Sequence, residues 1–528
     1  MKISNLNLED ILEITKEVIN NFFINSKITK KPLIFNFLLP KNIENGDICC
    51  NIFLKYPHLL VNNNLEKLIQ ILQKNNFFEK ILFNKGFLNF FYSLSLQEIF
   101  FKNIFLKNLK YKNKKVLVEY VSANPTGKLH LGHGRNGVFG DVLFKTYLFF
   151  GFNAKNNYYV NDSGKQIDIL IESLEKKAAN SLDVLPYEGP YLDILKNKYQ
   201  KKSWNNLSKE KLRQIVVLEI LEKFIYVLKK ISISFETFTY ESEVLTCHKS
   251  KIIDYFWKNN LIYEKDGAIW LKFFENFDYE DRVLIKQNDK NSYLIGDICC
   301  QYERFLQKYK KIIIILGADH IDYITRLKYT LSLLKINNKN WELIPLQIIN
   351  VASKDTTKKM SKREGTAIDL EEFIDDIGAE KIRFFLISYT KNSPLTLDLE
   401  KIQQMEKSNS YYYCQYVFAR INGLLSKHLL KNEKKLFFYH LSDKEINLFK
   451  FALSFRIHLL LLIDQNEPHN IYKFLLELVK RFHKYYESEK IISDNKIKTE
   501  IKLSLVLFIK KILEKIFEII SIKPIEKM

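Results

Sequence analysis

His130 and His133 enclose Leu131 and Gly132 in a tetrad, HLGH, that follows an apolar run at 116–121 (VLVEYV) and a turn at 122–127. A helix should start here, and a helix start offers unpaired backbone N–H groups and the positive end of the dipole, both of which favour an anion. The i, i+3 spacing puts the two imidazoles on one face of the first turn. There both can hydrogen-bond phosphate oxygens of a nucleotide held at the carboxyl end of the strand. Gly132 leaves room for a flat base to lie against the backbone. A second basic element, Lys359-Met360-Ser361-Lys362-Arg363, sits in a polar stretch behind another apolar run at 346–351. Lysines there can reach the β- and γ-phosphates and offset the charge that develops as pyrophosphate leaves. Ordinary explanations exist for each motif alone: surface or core histidines, and a solvated basic loop. Their order, each behind a buried strand, favours chemistry, and the stretch between them is long enough for the rest of a split nucleotide fold.

These side chains need elements to hold them. A chain of 528 residues exceeds what one core serves, so two to four domains are expected. Residues 1–110 mix helical periodicity (6–22) with short apolar strands such as 32–39. Apolar runs at 116–121, 312–316 and 346–351 alternate with helical periodicity, which resumes at about Leu131, and argue for a parallel α/β sheet. Beyond 400, long helical periods take over, at 411–425, 471–487 and 501–520. The expected organisation is a small α+β head at 1–110, an α/β middle at 111–400 and an all-helical tail at 401–528.

No run reaches the roughly 18 uninterrupted apolar residues of a membrane span. The amino-terminal sequence, MKISNLNLEDILEI, has acids and helical spacing in place of the basic and long apolar segments of a secretory signal. Cysteines at 49, 50, 247, 299, 300 and 414 make neither a metal spacing nor a disulfide framework. Reduced thiols in the cytoplasm are expected, with no protein metal site and no membrane partner. The net charge of +20 suits a polyanionic partner, but lysine is abundant throughout, so charge alone decides nothing. Local clustering says more: Lys107, Lys110, Lys112, Lys114 and Lys115 crowd just ahead of the HLGH strand.

HLGH followed by KMSKR resembles the HIGH and KMSKS pair of class I aminoacyl-tRNA synthetases. The longer string from Val118 to Gly127, running into HLGHGR, with Gly140-Asp141 and YYVNDSGKQI at 158–167, resembles bacterial arginyl-tRNA synthetases. Similarity continues through DRVL at 281–284, Ser292-Tyr293-Leu294, Asp297-Ile298, the segment 365–385 and QYVFARI at 415–421. In the head it includes GDICCN at 46–51 and GFLNF at 86–90, so it covers essentially the whole chain. The resemblance implies a Rossmann-like catalytic core, an α+β N-terminal domain that contacts the tRNA elbow, and an all-α anticodon-binding domain. It implies an arginine–tRNA ligase that activates L-arginine with ATP, accompanied by Mg2+, to arginyl-adenylate and pyrophosphate. The arginyl group then passes to the 2′-hydroxyl of the 3′-terminal adenosine of tRNA(Arg). No covalent enzyme intermediate forms, so catalysis would be positioning plus electrostatics. His130, His133, Lys359 and Lys362 would be catalytic, and His130, Gly132, His133, Met360, Ser361 and Lys362 would bind ATP. A monomer without an editing domain is implied, as is a need for bound tRNA during arginine activation.

A guanidinium substrate calls for carboxylates in a fork geometry, ideally among aromatic rings. Glu119 lies on the strand leading into HLGH, so its carboxylate is expected to face the pocket. By resemblance Tyr293 and Asp297 would recognise the side chain, Ser122 and Asn124 would hold the α-carboxylate and α-amino ends, and Asp319 is a further candidate. Tyr416 and Arg420, together with Tyr411, Tyr412 and Tyr413, would meet tRNA by stacking on anticodon bases. Taken singly, each of these residues is better explained by a salt bridge, a cap or a core tyrosine, and it is the resemblance that raises Glu119, Asn124, Tyr293 and Asp297. Ile321 and Asp322 stand where the family reads His-Gly in GADHHGY, which leaves neither with an assigned role. Lys128 replaces a common proline before HLGH and is expected to loosen that turn. Two competing readings remain: a class I synthetase for another amino acid, without the zinc-type spacing or long editing insertion that would mark it, and a non-catalytic tRNA-binding paralogue, which would not need both phosphate motifs intact.

Overall fold

The computed structural model describes residues 6–527 apart from 41, 62, 181–184, 188, 202–203, 274–279, 319–320, 353–367, 407 and 428–439. The chain forms two compact units, one of Met1–Leu109 with Glu406–Glu518 and Lys523–Met528, the other of Lys110–Met405 with Ile519–Ile522. The first unit begins with α1 (Leu8–Asn25), β1 (Phe37–Leu38), β2 (Ile48–Cys50), α2 (Ile52–Lys55), α3 (Asn64–Gln73), β3 (Phe78–Asn84), β4 (Phe87–Tyr92) and α4 (Leu94–Asn103). Its strands make an antiparallel sheet of order β1-β2-β4-β3. The strand expected at 32–39 shrinks to two residues because neighbouring N–H groups bond to side chains instead of a ladder. Leu33 donates to Asn20 Oδ1 at 2.7 Å and Asn36 to Asn51 Oδ1 at 3.0 Å.

The second unit runs β5 (Lys115–Glu119), α5 (Leu131–Phe150), β6 (Asn153–Val160), α6 (Lys165–Ala178), α7 (Pro190–Lys201), α8 (Lys209–Lys230), β7 (Thr237–Tyr240) and α9 (Glu241–Lys258). It continues through β8 (Ile262–Lys265), β9 (Ala268–Leu271), β10 (Arg282–Ile285), α10 (Tyr293–Leu306), β11 (Lys311–Gly317), α11 (Ile321–Leu333), β12 (Trp341–Leu346) and β13 (Ile349–Ala352). Then come α12 (Leu370–Ile377), α13 (Ala379–Leu386), β14 (Leu395–Asp398) and α14 (Leu399–Gln403). Five strands form a parallel sheet of order β12-β11-β5-β6-β7. Construction starts at β5, adds β6 and β7 on one side, then β11 and β12 on the other. The direction of winding therefore reverses beside β5, and in such sheets the crevice at the carboxyl ends there takes the ligand. Central strands buried on both faces must be apolar, as Val116–Val118 and Ile312–Ile315 are. The α5 helix is buried almost all round, and its polar residues Arg135, Asn136 and Asp141 are buried with it.

The strand expected at 346–351 is in fact two, β12 in the main sheet and β13 in a separate pair with β14. The break is held by Arg135, 2% exposed, whose guanidinium donates to the carbonyls of Gln347 (2.7 Å), Thr390 (2.9 Å) and Ser393 (3.2 Å). Another buried guanidinium anchors α5. Arg383 pairs with Asp141 and donates to Ile520 O and Ile231 O, both at 2.7 Å.

The first unit resumes with α15 (Ser410–Ser426), α16 (Asp443–Leu453), α17 (Phe455–Gln465), α18 (His469–Ser488) and α19 (Lys496–Ile520), the all-helical tail read from periodicity. By length and composition Asp443–Gln465 is the one run among the described residues that could cross a membrane. Ser454 divides it into two helices, however, and Arg456 within it is buried against Glu9 with bonds of 2.7 and 2.8 Å. A buried pair inside a helical packing layer is the arrangement of a core element. Removing the guanidinium in Arg383→Ala leaves Asp141 with Lys145 alone, at 2.7 Å, and takes the donor from the Ile520 and Ile231 carbonyls; it is expected to cost about 2–4 kcal/mol. Urea denaturation reads this directly, and a loss below about 1 kcal/mol would contradict an anchoring role.

Candidate active site

His130 is the N-cap of α5. Its Nδ1 accepts the His133 N–H at 3.4 Å while His133 Nδ1 accepts the His130 N–H at 3.2 Å, a reciprocal capping box. The rings stack with centroids 3.6 Å apart and planes 21° from parallel. Burial holds His130 below the usual histidine range, and burial followed by the neighbouring His130 pushes His133 down to about 3. Both rings are thus neutral at physiological pH. Since each Nδ1 accepts a backbone N–H, each ring must carry its proton on Nε2. Two neutral Nε2–H donors therefore stand at a helix N-terminus, the chemistry of a phosphate cradle. Gly132 has a more immediate reason than room for a base: a Cβ there would lie 2.9 Å from the His130 ring.

The loop from β5 to α5 is strained and heavily tied. Val121 and Ser122 hold φ of 67° and 40°, and for a β-branched valine that is a conformation the surroundings must impose. Val121 N–H donates to Asn136 Oδ1 at 2.6 Å, Ser122 Oγ accepts the Tyr159 N–H at 3.0 Å, and the hydroxyls of Tyr158 and Tyr191 donate to Ala123 O and Thr126 O. Asn124 is exposed and donates to Gln166 at 2.9 Å. On the far side, Leu131 N–H donates to Ile368 O and Leu370 N–H to Leu129 O, both at 2.9 Å, so the histidine motif is bridged to the chain that leads into α12. Lys128 does not loosen this turn as expected. It binds Asp369 at 2.6 Å and Glu372 at 3.4 Å and ties the turn down.

A second cluster gathers at the carboxyl ends of β6 and β7. Glu241, the first residue of α9, is 5% exposed and lies against the Gly296 backbone, where a Cβ would come within 2.7 Å of its Oε1. In the orientation that satisfies both ends of the amide, Asn161 Nδ2 donates to Glu241 Oε2 at 2.9 Å. Burial, then the charges of Asp297 and Asp162, push the Glu241 carboxyl up to about 8. Tyr323 donates its hydroxyl to Asp297, and Asp162 caps α9 through the Ser242 N–H at 2.9 Å. Tyr293 and Asp297 share one face of the first turns of α10, with Tyr293 half-exposed. Three carboxylates beside tyrosines form a pocket for a cation. Tyr293 and Asp297 were legible as candidates in the sequence; Glu241, Asp162 and Tyr323 were not singled out.

Glu119, expected to face arginine, instead meets a guanidinium from the chain itself. Strand alternation turns residues 115, 117 and 119 toward the α10 layer, where Arg304 pairs with Glu119. Lys359, Met360, Ser361, Lys362 and Asp319 lie outside the described residues. In α15 the Arg420 guanidinium lies 4.5 Å from the Tyr416 ring and 4.6 Å from the Tyr486 ring, with His483 near Tyr413 and Tyr416. Tyr411, grouped with them from the sequence, is instead buried in the helical core.

Comparison with known proteins fits this geometry. Residues 95–406 match the family described as tRNA synthetases class I (R), catalytic domain, and residues 414–528 match the DALR anticodon binding domain. An arginine–tRNA ligase of Mesoplasma florum is 31% identical across 99% of this chain and 100% of its own. One from Aquifex aeolicus is 29% identical across 98% of this chain and 99% of its own. The Thermus thermophilus arginyl-tRNA synthetase structure shares the fold with a TM-score of 0.75 at 16% identity, covering 98% of this chain and 100% of that one. The catalytic unit is that of a class I aminoacyl-tRNA synthetase. Within that class, the chain belongs to the arginyl-tRNA synthetase family.

The lowered His133 value has a thermodynamic consequence. Between about pH 6.5 and 3 the unfolded chain binds more protons at this residue than the folded one, so stability drops as pH falls through that window, by up to about 1.4 kcal/mol per pH unit. Urea denaturation of His133→Gln is expected to show a shallower acid slope than the parent, and equal slopes would contradict the buried neutral ring.

Proposed function

We propose that the chain charges tRNA(Arg) with arginine in the cytoplasm, as a monomer, with the His130–His133 pair holding ATP and the Glu241–Asp297 pocket selecting the guanidinium. The observation that carries this reading is the convergence of neutral anion donors and a buried carboxylate pocket on the carboxyl ends of one parallel sheet. Their ligands are opposite in charge, as ATP and arginine are. The Nε2–H groups of His130 and His133 and the amino end of α5 bind phosphate oxygens, with Gly132 between them. Ser122 and Asn124 orient the α-carboxylate and α-amino group of arginine. An oxygen of that carboxylate attacks the α-phosphorus, a phosphorus–oxygen bond forms, and the bond to pyrophosphate breaks. Lys359 and Lys362, with Met360 and Ser361 beside them, take up the charge of the departing pyrophosphate. The 2′-hydroxyl of the terminal adenosine then attacks the adenylate carbonyl and AMP leaves.

Tyr293, Asp297 and Glu241 recognise the guanidinium, and Asp319 stands as a further candidate; Glu119 is committed to Arg304 and takes no part. Among the described residues no three metal-ligating side chains converge. Mg2+ would accompany ATP as part of the substrate, and no step is routed through it. Tyr416 and Arg420 offer stacking surfaces to anticodon bases. The six cysteines are all free, which suits a reducing compartment.

Aminoacylation of a mixed tRNA pool with each labelled amino acid in turn is expected to charge arginine alone, with charging lost in Lys359→Ala. Charging of another amino acid would contradict the pocket assignment, and folded protein that bound tRNA without charging it would favour a binding paralogue. Glu241 must shed its proton to pair with a guanidinium. The KM for arginine should then fall as pH rises toward about 8, the value to which Glu241 is pushed up, by up to about tenfold per unit for one proton, and level off above it. Asp297→Asn removes one cause of that shift and should move the profile to lower pH.

A further inference from the structure

The lysines clustered ahead of β5 have no task in the chemistry above. Lys115 opens β5, so it lies at the amino-terminal end of the parallel sheet, away from the end that carries His130 and Glu241. Neighbouring strands bring more lysines to this edge. Asn153 N–H donates to Lys114 O at 3.2 Å and Lys310 N–H to Lys115 O at 2.8 Å, and the register Leu117↔Lys155 puts Lys115 and Lys155 on the same sheet face. That face is polar. Lys115 and Lys155 line an open groove, about 1090 Å³ with solvent included, together with Asn153, Asn157, Gln307 and Tyr309. Lys112, Lys114, Lys115, Lys155, Lys308 and Lys310 are exposed and form no ion pair among the described residues. Carboxylates on the same elements are already engaged: Glu303 by His248 at 2.6 Å and Gln307 at 2.7 Å, Glu119 by Arg304. Positive charge therefore outweighs negative here, with Glu236 just ahead of β7 an exposed carboxylate on the same edge.

From this we infer that the amino-terminal edge of the sheet binds the phosphate backbone of RNA without regard to base sequence, at a place separate from the acceptor end handled at the catalytic edge. The choice of RNA rests on the chain being a tRNA-charging enzyme. Its extent and chemistry come from the edge itself. The lysines span three adjacent strands, β11, β5 and β6, about 10 Å at the usual strand spacing, which is wider than a single phosphate group. Lysine heads are point charges that suit backbone phosphates rather than base edges. Tyr111, the ring beside Lys114, is already covered: Phe152 stacks on it at 4.3 Å and Lys114 Nζ lies 4.8 Å from its centroid.

The test uses the full chain with Lys112, Lys114, Lys115 and Lys155 all changed to Gln, and a second variant with the same four changed to Arg. Binding of tRNA is measured across a salt series. The Gln variant is expected to bind at least about tenfold more weakly at low salt, with the slope of log K against log salt shallower by about 3, since each of four phosphate contacts contributes about 0.7 to 0.9. The Arg variant should keep the parent slope, and kcat at saturating tRNA should be unchanged in both. An unchanged slope in the Gln variant would overturn the proposal. So would an effect confined to competition by inorganic tripolyphosphate, which would mark a small-anion site. Should the slope fall as expected while the parent charges no arginine, the function reading fails and this one stands; intact charging with an unchanged slope gives the reverse.

Discussion

The structure depends on how the chain leaves β5 and enters α5. A parallel strand must hand over to a helix whose free amino end faces the crevice, and the intervening residues meet that demand only with Val121 and Ser122 at positive φ. Such conformations cost on the order of 1–3 kcal/mol each and persist only where the surroundings over-determine them. Here the surroundings do so from three directions: Asn136 on α5, Tyr158 and Tyr159 on β6, and the bridge to Ile368–Leu370. Buried Arg383 and Arg135 then fix α5 and the turn after β12. Packing, strain and guanidinium anchors all converge on holding one helix start in place.

Electrostatics divides the carboxyl end of the sheet in two. At the helix start, burial strips the histidines of charge and leaves them as N–H donors, so an anion held there would meet dipoles rather than ions. At the ends of β6 and β7, burial and mutual repulsion among Glu241, Asp297 and Asp162 raise the cost of keeping every carboxylate ionised. A guanidinium arriving there would relieve that repulsion, a selective force no neutral side chain can supply.

Much of this was legible in the sequence. The apolar run at 116–121, the turn at 122–127 and the helical periodicity from about Leu131 placed the strand, loop and helix start to within about two residues, and the tail helices follow their apolar periods closely. Where side chains meet across long separations it was not. Glu119 and Arg304 are 185 residues apart, and nothing local marks them as partners. Glu241 reads as an ordinary acid at a helix start until β6 and α10 bring Asp162 and Asp297 beside it. Tyr411 looks like its neighbours in a tyrosine run, but the helical period turns it inward. The lysine segment at 359–362 carries its motif in the sequence alone.

The most direct test of the central claim is the protonation of His130 and His133 in the ATP complex, read from ¹⁵N shifts and couplings of the imidazole nitrogens at neutral pH. Neutral rings protonated on Nε2, with Nδ1 accepting a backbone N–H, would establish the helix-start phosphate cradle. Doubly protonated rings, or neutral rings with the proton on Nδ1, would contradict it.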